Sequence, residues 1–197
     1  PLLPHRLSRL GPGMAWADLD KNGRPDLFLG GAAGQAGGLW LNHGDGEFRR
    51  LVTPAFAKDK DSEDMGALFL DYDADGRLDL LVTSGGTESK KGSPAYRDRL
   101  YRNIGGGRLE RVPFPSGENS SGHAAAADFD RDGDLDLFIG GRLRHGQYPL
   151  PGKSRLLRND NGNFADATDA LAPGLADAGM VTGALWTDAT GNGWPDL

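Results

Sequence analysis

The chain contains no cysteine, which excludes a disulfide scaffold and a thiolate metal site while leaving the compartment undecided. It also lacks any run near the roughly 20 apolar residues that a membrane-spanning helix needs. Its opening stretch, PLLPHRLSRL, lacks the apolar centre of a secretory leader. Because the sequence starts at Pro1 and stops at Leu197 just after an aspartate cluster, the expectation is a piece of a longer protein, and the missing leader excludes no compartment. Histidine is scarce. His5, His43, His123 and His145 stand in unrelated surroundings, and no serine occupies a nucleophile motif, so no catalytic residue is expected. The lysines and arginines are scattered without an aromatic-lined basic stripe, which argues against nucleic acid as a partner.

Glycine and aspartate are plentiful instead. With 31 glycines, 12 prolines and 38% hydrophobic residues spread evenly, the composition fits many short strands joined by tight turns, an all-β chain. The formal charge is -6, but its placement is uneven. Nine-residue acidic stretches recur four times: DLDKNGRPD from Asp18, DYDADGRLD from Asp71, DFDRDGDLD from Asp128 and DATGNGWPD from Asp188. Positions 1, 3, 5 and 9 of these stretches hold thirteen of the 28 acidic residues, so the rest of the chain carries a positive excess. That distribution suits ligand charge better than surface charge.

Starts at 18, 71, 128 and 188 are the signature of a repeat of fifty-odd residues. Each acidic stretch follows a small or apolar run (13–17, 66–70, 124–127, 183–187). The first three precede LFLGG, LLVTS and LFIGG, continuous apolar runs of the kind found in strands covered on both faces. Next come GLWLN, RLYRN and SRLLRN, then Gly-rich turns, then EFRRLV, RLERV and NFADAT, a hairpin pattern. Four strands per repeat make a β-propeller blade. A β-solenoid would have much shorter rungs. The expected units are 13–65, 66–122, 123–182 and an incomplete 183–197, about three and a half blades of a ring that is seven-bladed when whole. Further blades, or a second chain, are expected to complete it, since an open arc exposes strand edges.

Calcium takes 6 to 8 oxygen ligands, and a short loop wraps it when alternate side chains point inward and a backbone carbonyl helps. Positions 1, 3, 5 and 9 supply Asp18, Asp20, Asn22 and Asp26 in the first loop; Asp71, Asp73, Asp75 and Asp79 in the second; Asp128, Asp130, Asp132 and Asp136 in the third; and Asp188, Thr190, Asn192 and Asp196 in the fourth. Position 7, expected to offer its carbonyl, is Arg24, Arg77, Asp134 and Trp194. Position 6 is always glycine, which permits positive φ in a sharp turn. An EF-hand is excluded, because it needs Glu at position 12, where Leu29, Val82 and Ile139 stand here. Magnesium demands a stricter octahedron, and ion-free Asp/Gly turns are the plain alternative. Against the latter stands the mutual repulsion of clustered carboxylates repeated in register. Up to four Ca2+ are expected, with the site at Asp188 weakest because Thr190 and Asn192 leave it two formal charges.

The pattern D-x-D-x-D-G-x-x-D between a small-residue strand and an apolar strand resembles the FG-GAP or VCBS repeats of integrin-α-like propellers. SGGTES, YRDRLYRN, ADFDRDGDLDLFIGGR and GQYPLPGKSRLLRNDNGNFADAT are similar to the propeller regions of bacterial proteins like cartilage acidic protein, often joined to an ASPIC/UnbV segment. That resemblance implies calcium-binding modules of the extracellular space or cell envelope, with the loop residues above as ligands. The ASPIC/UnbV segment itself is not visible in the chain.

These readings converge on a non-catalytic binding or adhesion scaffold, extracellular, periplasmic or on the cell surface, whose ligand is an unidentified protein or glycan. A carbohydrate-binding propeller, or a non-catalytic module of a carbohydrate-active enzyme, is the alternative. Two longer connections, TESKKGSPAYRDR from Thr87 and GRLRHGQYPLPGKSR from Gly141, are read as solvated connectors, with Tyr148 and Leu150 packing on a neighbouring blade. A ligand-contacting insertion is the other reading of each.

Overall fold

The computed structural model describes residues 11–87 and 89–197; the opening stretch and His5 lie outside the described residues. Among the described residues, twelve strands form three four-stranded antiparallel sheets, each in simple chain order. The first holds β1 (Met14–Ala17), β2 (Asp26–Leu29), β3 (Gly38–Gly44) and β4 (Glu47–Leu51). The second holds β5 (Glu63–Leu70), β6 (Asp79–Gly85), β7 (Arg99–Asn103) and β8 (Leu109–Val112). The third holds β9 (Ser120–Ala127), β10 (Asp136–Leu143), β11 (Arg155–Asp160) and β12 (Asn163–Asp166). These are three blades of a β-propeller. The last acidic stretch makes a single antiparallel bridge, Thr187 with Asp196, and the run 183–187 forms no longer ladder among the described residues.

Alternation explains why the second strand of a blade reads as an unbroken apolar run. In β6, Leu80 and Val82 enter a cluster shared with the first blade, through Phe28, Leu39 and Phe56, whereas Leu81 enters one shared with the third, through Leu137, Ile139 and Leu157. Both faces are thus interblade core. Phe56, from the short helix α1 (Pro54–Lys58), closes the first interface by edge contacts to Phe28 (5.4 Å) and Tyr101 (5.1 Å). The small residues ahead of the acidic loops have a packing reason as well. A Cβ at Gly66 would lie 2.8 Å from the Gly122 carbonyl oxygen, so these first strands approach too closely for a side chain.

From its repeat position Trp16 is expected to pack between blades, and Tyr148 and Leu150 are expected to pack on a neighbouring blade; this packing corrects both. Trp16 shares its repeat position with Phe69 and Ala126, which do pack between blades, yet Trp16 is 51% exposed, because no described element covers that face of the first blade. Its ring touches Phe48 instead. Trp186, at the fourth equivalent position, stacks on Phe129 of the third blade. Tyr148 and Leu150 do not pack on a neighbour: they are 43% and 48% exposed at the tip of a turn held by Arg144 and Gln147. Conversely, the connector from Thr87 is partly internal, with Tyr96 buried and its hydroxyl 2.9 Å from His145 Nδ1 in the other insertion. No described helix is long and apolar enough to cross a membrane.

Candidate functional site

Each of the first three acidic loops joins the first strand of its blade to the second, so these loops lie at the same end of successive blades. Position 6 has the positive φ that the glycines permit, at Gly23 (82°), Gly76 (79°), Gly133 (100°) and Gly193 (83°). Position 4 is left-handed too, in Lys21, Ala74 and Arg131 as well as Gly191, a feature that the residue types alone do not announce.

The two reversals fold the backbone amides inward onto the side chains. Position 1 accepts the position-6 N–H in every loop: Gly23 to Asp18 (2.8 Å), Gly76 to Asp71 (2.8 Å), Gly133 to Asp128 (3.1 Å) and Gly193 to Asp188 (2.8 Å). Position 5 accepts from position 7, as Arg24 N–H to Asn22, Arg77 to Asp75, Asp134 to Asp132 and Trp194 to Asn192. Position 9 is the anchor. Asp26, Asp79 and Asp136 begin the second strands and are wholly buried. Each accepts one amide from its own loop (Leu19, Tyr72, Phe129) and one from the end of the third strand (Asn42, Asn103, Asn159).

Those three asparagines are the functional residues that reading the acidic stretches alone misses. Beside the amide given to position 9, each side chain donates to the carbonyl at position 8: Asn42 to Pro25, Asn103 to Leu78 and Asn159 to Leu135. Asn159 also donates to the Tyr72 carbonyl at 2.8 Å, which ties the second loop to the third blade. Their signal in the sequence is an asparagine closing the third strand in every complete repeat.

The outcome is a convergence of carboxylates. Asp18, Asp20 and Asp26 place oxygens within 4.8 Å of one another, as do Asp71, Asp73 and Asp79, and Asp128, Asp130 and Asp136. The position-5 acids Asp75 and Asp132 stand outside these trios. The fourth loop, with Asp188 and Asp196 as its acids, forms no trio; both Asp196 contacts from Ala189 and Thr190 run to one oxygen at 3.0 Å. Position-7 side chains vary freely: Arg24 lies against Gly44, and Trp194 sits under Arg131, whose guanidinium is 4.3 Å from the ring centre.

The electrostatics are those of gathered negative charge, met by arginines only beside the second loop among the described residues. Burial pushes the Asp79 carboxyl up to about 7 against two amide hydrogen bonds that favour its ionised form, and Asp73 and Asp75 add to the rise. Asp136 is pushed up to about 6 in the same way. Asp128 Oδ1 is buried and accepts no hydrogen bond. Three hard oxygen donors, one desolvated and one set with an orphaned buried oxygen, form a donor set that fits a hard divalent cation.

Among solved structures, one described as the basis of specific recognition of non-reducing terminal N-acetylglucosamine by an Agrocybe aegerita lectin is similar to this chain at 22% identity, with a TM-score of 0.49. The match covers 77% of this chain and 36% of the lectin, so the chain spans about a third of that protein's length. No curated protein matches. The model of the FG-GAP-like repeat matches residues 18–82 and 83–139, more than half of the chain, and the protein belongs to that family.

Proposed function

We propose that the protein is a calcium-dependent binding scaffold, in which calcium is structural and the blades present surfaces to a protein or glycan outside the cell or in its envelope. The supporting observation is the threefold recurrence of one trio, positions 1, 3 and 9, with its last member buried at the head of the second strand. On this reading Asp18, Asp20 and Asp26, then Asp71, Asp73 and Asp79, then Asp128, Asp130 and Asp136 hold the ions, with position 5 and the position-7 carbonyl as further ligands. Asp188 and Asp196 form the weakest site. A bound ion supplies the positive charge that lets these carboxylates stay ionised together. The chain's own residues do the rest: the amides of positions 5 to 7 orient the side chains, and Asn42, Asn103 and Asn159 lock position 9.

Affinities of roughly 10⁻⁴ to 10⁻³ M, usual for extracellular modules, would fill such sites outside a cell and leave them empty in cytosol. That is the ground for the proposed location. The bare face of Trp16, Met14 and Phe48 supports a further blade, from this protein or a second chain, at the position where Phe69 and Ala126 meet their preceding blades.

Thermal unfolding in EDTA and across a calcium titration into the millimolar range tests the proposal, with magnesium as the control. A calcium-specific rise in Tm that grows with concentration is expected, because ligand bound to the native state stabilises it by mass action. An unchanged Tm in folded protein would return the loops to turn chemistry.

A further inference from the structure

The three complete loops share a backbone but not a set of neighbours. Beside the second loop, β7 presents Arg102, whose Nε lies 2.7 Å from Asp73 Oδ2 and whose Nη2 lies 3.2 Å from Asp75 Oδ2. Arg77 joins it, pairing with Asp75 and donating from Nε to the Asn103 carbonyl at 2.7 Å. Arg102 immediately precedes the clamp residue Asn103. The residues at the same place in the other blades are Leu41 and Arg158, and among the described residues neither they nor Arg24 pairs with an acidic loop.

We infer that Arg102 sets the cation affinity of the second loop, acting as a fixed counter-charge on Asp73 and Asp75 that makes this site weaker than those of the first and third blades. The inference rests on the calcium reading above. Asp73 belongs to the carboxylate trio, so a cation bound there shares one carboxylate with a guanidinium. Two cations held on one carboxylate sit roughly 5 Å apart, where a single and a double charge repel even at the dielectric of water strongly enough to cost about tenfold in affinity. The guanidinium also keeps the metal-free loop ordered, because it already neutralises the acids that would otherwise repel. Loops one and three have no such substitute and fill first as calcium rises.

Calorimetric calcium titration of the 197-residue chain, its Arg102→Leu and Arg158→Leu variants, and Asp71→Asn alone and with Arg102→Leu tests this. Leucine is the residue of the first blade, and Arg102 is partly exposed, so folding is checked by thermal unfolding in EDTA rather than assumed. Expected, apart from the weak fourth loop, is a second weak site that tightens about tenfold in Arg102→Leu at low ionic strength, less at high salt as screening takes over. Asp71→Asn should remove that site and abolish the gain, and Arg158→Leu should change nothing. Calcium binding that is unaltered or weakened in Arg102→Leu overturns the role of Arg102 while leaving calcium in place. Absence of calcium heat in every folded variant overturns both readings together.

Discussion

Asp79 has two duties that substitution separates. One oxygen accepts the Tyr72 amide at 3.2 Å and the other the Asn103 amide at 2.7 Å, all in buried surroundings. Removing the carboxylate leaves two donors unpaired, so Asp79→Ala is expected to destabilise the protein by about 2–4 kcal/mol even in EDTA, with the calcium response diminished on top of that loss. Asp134 makes one exposed contact, from the Asn161 amide at 2.7 Å, and Asp134→Ala should cost about 0.5 kcal/mol or less. Urea unfolding of the two variants with and without calcium measures both components. At this scale the spacing of aspartates makes the trios legible, since positions 1, 3 and 9 do converge. It does not reveal that position 9 is also a backbone cap. That role depends on Asn42, Asn103 and Asn159, sixteen or more residues downstream and brought back by the third strand.

Between elements, the blades are joined by buried charge as well as by apolar packing. Asp98, at the entrance to β7, accepts from Arg155 at 2.6 Å, from the Ser121 hydroxyl at 3.0 Å and from the Ser84 amide at 2.9 Å, so it couples the second blade to the third. Asp64 and Arg99 form a comparable buried pair at 2.6 Å within the second blade, and Asp64 also accepts the Gly31 amide of the first. Removing one partner of a buried pair strands the other. Arg155→Ala is therefore expected to cost about 3–5 kcal/mol in chemical denaturation, whereas an exposed arginine such as Arg158 should cost under about 0.5 kcal/mol. A loss as small as that of Arg158 would mean that Asp98 finds solvent once its partner is gone. The strands were legible because their apolar runs keep to one register and their turns carry glycine: Asp45–Gly46 and Asn161–Gly162 both take the paired positive φ of a tight hairpin. The ion pairs were not, because Asp64, Asp98, Arg99 and Arg155 look like ordinary surface charges until the sheets are stacked. The same reason hid the burial of Tyr96 and misjudged Trp16, whose covering surface is not among the described elements.

For the molecule as a whole, protons and calcium compete for the same acids. The formal charge of -6 would be cancelled by three divalent ions, one for each trio, so metal-free protein carries its excess charge where it is most concentrated. Burial raises Asp79 to about 7 and Asp136 to about 6, above the ordinary carboxylate near 4. A folded-state value above the unfolded one means that the folded protein favours the protonated form. The stability these groups allow is therefore full below about pH 4 and is lost progressively as pH rises through 6 and 7. Calcium opposes this loss, since it binds the ionised form and must release the protons held there. In EDTA, Tm should fall between pH 5 and pH 8 by more than it does in millimolar calcium, and the gap between the two curves should widen with pH. Differential scanning calorimetry in buffers of matched ionic strength gives both curves. Parallel curves would show that Asp79 and Asp136 are already ionised in the metal-free fold, with their amide hydrogen bonds alone sufficient to hold the charge.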